Sequence, residues 1–173
     1  ICIHVIELTD SLKDSGIAFD SVRQHIRMLI DLPHEEHNVR FVWLSIGSQG
    51  RKEQLLPTDQ DSILIFEDVT ADKYRDVKDY FLKLGKRTTS TLEKVGYELC
   101  PNGHMGSNML WCKSLTDWTK QYNNWMNTPG ENSNEISSIF FDCEIAFGEP
   151  KIEEAIENVI FNNVKNNALF FDF

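Results

Sequence analysis

The chain has 173 residues, 41% of them apolar and 25% charged, with a formal net charge of −10. Such values suit one soluble globular domain with a sizeable core, alone or with a helical extension. The acidic balance argues against gripping a nucleic acid polymer through a basic surface, and no apolar run approaches the ~20 residues of a membrane span. The N-terminal ICIHVIELTD has no basic region and no cleavage site, so it does not read as a secretory signal. The start at Ile1 reads as that of an excised fragment. Cys2, Cys100, Cys112 and Cys143 show no CxxC spacing and read as reduced thiols of a cytoplasmic protein. The spacing of Cys100, His104 and Cys112 matches no common zinc site, which disfavours that reading of them.

In chain order, residues 1–15 are loosely helical, with Ile1, Val5, Ile6, Leu8 and Leu12 apolar. Asp20 or Ser21 caps a second helix with Phe19, Val22, Ile26, Leu29 and Ile30 at 3–4 spacing, ending before Pro33. His25, His34 and His37 read as exposed or packed rather than ligating. Phe41 to Ile46 is a run of β-formers stopped by Gly47 and Ser48. After Gly50, Arg51 and Lys52 comes Asp59-Gln60-Asp61, followed at once by the apolar Ile63 to Phe66. If 59–66 is extended, Asp59 and Asp61 share a face.

Residues 71–95 carry the clearest helical stripe: Tyr74, Val77, Phe81, Leu84, Thr88, Thr91 and Val95. Gly85 within it costs about 1 kcal/mol relative to Ala and marks a candidate break. Lys83, Lys86 and Arg87 read as a solvated face. Gly96 ends the helix, Tyr97 to Cys100 reads as a third short strand, and Pro101-Asn102-Gly103 as a turn. Ser114 caps a helix whose Leu115, Trp118, Tyr122, Trp125 and Met126 read as core rather than as a base-stacking platform. Residues 127–134 form a turn-rich connector. From Asn134 to Phe147 the pattern fits a helix, which is favoured, although Phe141, Cys143, Ile145 and Phe147 equally fit a strand. Residues 151–169 are helical by pattern. The expected organisation is an N-terminal helical segment (1–38), a core (39–126) and a C-terminal helical part (134–173) that reads as a possible truncated substrate-binding domain.

The chemistry concentrates in residues 47–61. Two carboxylates a few ångströms apart repel each other unless a cation bridges them, and Mg²⁺ takes carboxylate oxygens together with phosphates. Backbone N–H groups around Gly47, Ser48 and Gly50 suit an anion, and Arg51 adds a planar, permanently charged fork. Metal on one side and phosphate on the other is the arrangement for nucleotidyl transfer. A DxD pair alone is commonly a solvated turn. The order of strand, GSxGR, DxD and second strand is what carries the reading.

GSQGRKEQLLPTDQDSILIF resembles the GS…DxD signature of the DNA polymerase β-type nucleotidyltransferase superfamily. Within that superfamily it is most similar to the nucleotidyltransferase domain of bacterial signal-transduction proteins that also carry cyclic-nucleotide-binding and CBS domains, a group akin to PII-uridylyltransferase and glutamine-synthetase adenylyltransferase. The likeness continues in CPNGHMGSN (100–108), SLTDW (114–118) and SIFFDCEIAFGE (138–149). The family carries an arginine two residues after the aspartate equivalent to Asp142, where this chain has Glu144. The resemblance implies an α/β fold: a polymerase β-like core with a small mixed sheet, packed helices and a helical C-terminal part. It implies a uridylyl- or adenylyltransferase-like enzyme that uses Mg²⁺ (or Mn²⁺) and a nucleoside triphosphate, with a protein or small-molecule acceptor and flanking CBS or cyclic-nucleotide-binding domains. Asp59 and Asp61 would hold the metal, and Gly47, Ser48, Gly50 and Arg51 the triphosphate. His104, Ser107 and Asn108, on a loop that borders the active site in the family, would touch substrate, although a well-capped turn explains them equally. For the third carboxylate, Glu98 is the first candidate and Asp142 the second. The alternatives are a nucleotide-sensing module that has lost catalysis and a pure interaction domain.

Overall fold

The computed structural model describes residues 38–51, 53, 59–94, 96–127 and 133–166. The helices expected before Pro33 lie outside these residues, as do His25, His34, His37 and Cys2.

Two apolar strands make the centre. β1 (Phe41–Ile46) and β2 (Ser62–Phe66) are buried at every position. They pair antiparallel from Phe41 opposite Phe66 to Ser45 opposite Ser62. Being covered on both faces, they read as continuous apolar runs rather than as alternating ones. β4 (Cys143–Gly148) pairs antiparallel with the other edge of β1, from Ile46 opposite Cys143 to Val42 opposite Gly148, with a register irregularity between Trp43 and Leu44. β3 (Cys112–Ser114) pairs parallel with β2. The sheet is therefore mixed, four-stranded and ordered β3-β2-β1-β4. A small mixed sheet with packed helices is the α/β class expected from the sequence.

Strand periodicity divides the core in two. Phe41, Trp43, Leu64 and Phe66 pack on α2 (Ala71–Lys94) through Val77, Phe81, Leu84 and Leu92. On the opposite face, Val42, Leu44, Ile46, Ile63 and Ile65 meet Trp118 and Tyr122 of α3 (Leu115–Asn127). Phe140 of α4 (Ser133–Phe140) joins this second cluster, as do Ile152 and Ile156 of α5 (Pro150–Asn166). The aromatic stripe of α3 is core, as its spacing suggested. Trp118 Nε1 donates to the Leu64 carbonyl at 3.1 Å and Tyr122 Oη to the Phe140 carbonyl at 2.7 Å, so both polar handles are satisfied in the apolar interior.

Three local expectations need correction. Tyr97 to Cys100 is not a strand; it makes a single isolated bridge, Glu98 with Asp59, and the third strand is Cys112–Ser114. Residues 134–147 are not one helix: the helix ends at Phe140 and the chain enters β4 at Cys143. There the β-type alternation prevails because β1 presents an open edge for pairing. Gly85 does not break α2. Its missing side chain serves an approach instead, since a Cβ there would lie 2.6 Å from the Gly106 carbonyl oxygen.

Candidate functional site

β1 finishes at the end of the sheet where β2 and β4 begin. The turn out of β1 is made by Gly47, whose φ of 62° favours glycine. A Cβ at Gly47 would stand 3.3 Å from Asp61 Oδ2, so the glycine turn lies directly over the second aspartate. Ile46 N–H donates to the Asp61 carbonyl at 3.2 Å and fixes that approach. The short α1 (Gly47–Gly50) follows, with no side chain capping its start. Ser48 is half-buried, and its carbonyl accepts from Glu53 N–H at 3.0 Å. Gly50 is required by a neighbour, because a Cβ there would be 2.1 Å from the Asp142 carbonyl oxygen.

The acidic tripeptide alternates as an extended segment should. Gln60 is 3% exposed and its Nε2 donates to the carbonyls of Thr89, at 3.1 Å, and Tyr97, at 3.4 Å. This leaves Asp59 and Asp61 to the other side. Asp59 is tied by its backbone to Glu98, which is exposed. Asp61 is half-buried, and its Oδ1 is buried with no hydrogen-bond partner. Burial raises the Asp61 carboxyl above the ordinary carboxylate range; the Cys100 thiol opposes that, the Asp59 charge adds to it, and His104 opposes it slightly. The Cys100 thiol is itself pushed up to about 11, chiefly by burial and then by the Asp61 carboxylate.

His104 enters from the loop that precedes β3. Ser62 N–H donates to the His104 carbonyl at 2.9 Å and Gly106 N–H to Ser62 Oγ at 3.2 Å, so this loop is fastened to the start of β2. The His104 ring stands edge-on to Trp111 and Phe140, each 5.3 Å between centroids. Ser107 is half-buried under Gly85 of α2. Asn108 works within the loop: its Nδ2 donates to the Gly103 carbonyl at 3.1 Å and its Oδ1 accepts Leu110 N–H at 3.0 Å. The turn-forming role anticipated as an alternative for Asn108 is thus the one these bonds describe.

Arg51 reaches toward α4. Its Nη1 donates to the Ser138 carbonyl at 2.6 Å and lies 3.5 Å from Asp142 Oδ2, while Nε donates to Glu53 at 2.9 Å. The site residues therefore form two neighbouring groups. Gly47, Asp59 and Asp61 gather with His104 at the mouth of β2; Gly50 and Arg51 gather with Asp142 at the mouth of β4.

A hard cation fits the first group, because a buried carboxylate oxygen without a partner is what such an ion satisfies and a second carboxylate lies two residues away. Beside this group stands a residue that sequence reasoning set aside, Cys100. Asp61, Cys100 and His104 present ligand atoms that all lie within 4.8 Å of one another. The local signal was the C-x₃-H spacing of residues 100–104; the third member comes from a distant part of the chain. Cys112, by contrast, belongs to the core on the α2 face.

The family model described as "Putative nucleotidyltransferase DUF294" matches residues 15–132, more than half of the chain, and the chain belongs to that family. The match spans the glycine turn, the Asp59/Asp61 pair and the 100–108 loop. No curated protein and no solved structure matches the chain. Among the described residues, no helix is long and apolar enough to cross a membrane.

Proposed function

We propose that this domain transfers a nucleoside monophosphate from a nucleoside triphosphate to a hydroxyl of a protein or small molecule, with Mg²⁺ (or Mn²⁺). A bond forms between the acceptor oxygen and the α-phosphorus, the bond to the β-phosphate oxygen breaks, and pyrophosphate leaves. The observation that carries this reading is the convergence of Gly47 on Asp61, with a Cβ position 3.3 Å from Oδ2 and an orphaned Oδ1 on the same carboxylate. In this reading the backbone that would approach phosphate and the oxygen that would bind metal lie at one sheet end.

In this reading Asp59 and Asp61 hold the metal, which when bound neutralises charge on the attacking and leaving oxygens. The backbone of Gly47, Ser48 and Gly50 lets phosphate oxygens come close, and Arg51, steadied by the Ser138 carbonyl, presents its remaining donors to them. Glu98, beside Asp59, or Asp142, beside Gly50, accepts the hydroxyl proton. His104, Ser107 and Asn108 border the base or the acceptor. The resemblance to the polymerase β-type superfamily, and to signalling proteins with CBS and cyclic-nucleotide-binding domains, supports a regulatory setting in a longer chain.

The second reading is a nucleotide-sensing module without catalysis. It is favoured by Glu144 in place of the family's arginine and by the engagement of Arg51 with Glu53 and Asp142.

Calorimetric titration of the four nucleoside triphosphates, with and without Mg²⁺, tests the site. Metal-dependent binding by the wild type, lost in Asp59→Asn/Asp61→Asn, is expected. Absence of binding by folded protein would refute both readings. Pyrophosphate release on adding an acceptor separates the transferase from the sensor.

A further inference from the structure

Beside the carboxylate pair stands a thiol, Cys100, that nucleotidyl transfer does not call for. The Asp61 carboxylate, the Cys100 thiol and the His104 imidazole place their ligand atoms within 4.8 Å of one another. Cys100 is 6% exposed and in no disulfide, and Asp61 Oδ1 is the buried oxygen without a partner. Cys143, a half-buried thiol, is occupied elsewhere, against Tyr122 Oη and the Phe140 carbonyl.

The backbone holds the three ligands on a short frame. Gly103 N–H donates to the Cys100 carbonyl at 2.9 Å, closing the turn between the cysteine and the histidine. The Ser62 N–H bond to the His104 carbonyl, at 2.9 Å, ties that turn to the residue after Asp61. Around a tetrahedral ion with bonds of about 2.0–2.3 Å, ligand atoms lie roughly 3.3–3.8 Å apart. The cluster reaches that geometry if its side chains close by about 1 Å, well within rotamer adjustment. One sulfur, one nitrogen and one oxygen form a donor set for a borderline-soft ion such as Zn²⁺, whereas Mg²⁺ takes oxygens.

We propose that Asp61, Cys100 and His104 form a site for a thiophilic divalent cation of the zinc class, with three protein ligands and one open position. Because Asp61 belongs to both sets, zinc here and a magnesium–nucleotide at Asp59 and Asp61 exclude each other; this half of the proposal rests on the transferase or sensor reading above. On binding, Cys100 gives its proton to solvent as the sulfur–metal bond forms, and no electron changes hands. The pair of sites would make the domain responsive to zinc as well as to nucleotide.

Cobalt substitution tests the site without reference to activity. Wild-type protein titrated with Co²⁺ should develop a thiolate-to-cobalt charge-transfer band and the visible absorption of four-coordinate cobalt. One equivalent of Zn²⁺ should bleach both, and an excess of Mg²⁺ should not. Cys100→Ser should abolish the charge-transfer band, and His104→Ala should weaken cobalt binding by roughly ten-fold or more. A spectrum of six-coordinate cobalt without the sulfur band in the wild type would overturn the site, and so would a sulfur band that survives in Cys100→Ser. Since the wild-type spectrum alone can refute the site, the test does not depend on either variant folding.

The exclusion is read separately, by titrating magnesium–nucleotide into protein preloaded with Zn²⁺. Affinity should fall by about ten-fold or more in the wild type and remain unchanged in Cys100→Ser. Equal nucleotide affinity with and without zinc would overturn the exclusion. A cobalt signature in a protein that binds no nucleotide would leave the zinc site standing and overturn the shared-carboxylate half together with the transferase reading.

Discussion

The two ends of the sheet solve the same problem in opposite ways. Where β1 begins and β2 and β3 end, polar groups close on one another. Asp68 accepts Thr116 N–H at 3.0 Å and its hydroxyl at 2.7 Å, Tyr74 Oη donates to Asp117 at 2.6 Å, and Arg40 grips Glu67 through its backbone N–H and its Nε. At the other end, two consecutive side chains, Gln60 and Asp61, each leave a buried oxygen unsatisfied. Those are the buried side-chain polar atoms without a partner among the described residues. Native interiors rarely leave such atoms, so the contrast sets an end whose polar groups are paired against the end for which a ligand is proposed.

Mutations should respect this division. The middle of the sheet sets the scale: Trp43→Ala, at a position 1% exposed, is expected to cost about 3–5 kcal/mol in urea unfolding. Gly47→Ala comes next, at about 1–2 kcal/mol, because an L-residue at φ 62° is strained and its Cβ crowds Asp61. Metal-dependent nucleotide binding should suffer with it.

Tyr74→Phe probes the paired end and carries a pH signature. The Tyr74 hydroxyl is the main reason that the Asp117 carboxyl lies below the ordinary carboxylate range. A lowered carboxyl stabilises the folded state above its unfolded value, and that contribution is lost as pH falls through the folded one. Because Asp117 is partly exposed, the variant should be only about 1 kcal/mol less stable at neutral pH. The gap to wild type should close on acidification; a gap independent of pH would count against the assignment.

The smallest change in stability should come at the other end. Asp61→Asn keeps the shape and removes the cost of a buried charge, so it should stay within about 0.5 kcal/mol of wild type while abolishing Mg²⁺-dependent nucleotide binding. A loss of several kcal/mol would make Asp61 a structural residue and erase the contrast.

Much of this was legible in the sequence wherever the determining contacts are local. β1, β2, α2 and α5 follow from apolar period and turn chemistry, and the GSxGR and DxD motifs mark the sheet end that they occupy. β4 was misread because its conformation depends on an edge offered by β1 far back in the chain, and Cys143 and Phe147 satisfy either period. Tyr97 to Cys100 has strand composition, but the Tyr97 carbonyl is engaged by Gln60 and only Glu98 bridges to Asp59. Cys100 was discounted for the same physical reason: its distance to Asp61 is set by tertiary structure, which spacing does not encode.

The strand order also has a kinetic meaning. β1 and β2 are near enough in the chain to close early, and α2 can condense on them as it forms. The β1–β4 pairing joins residues roughly a hundred positions apart, so its closure entropy is met late. The Gly50 approach to Asp142 depends on that return. The apolar slab would thus mature before the end that carries Asp142, and mutations in β4 should speed unfolding more than they slow folding.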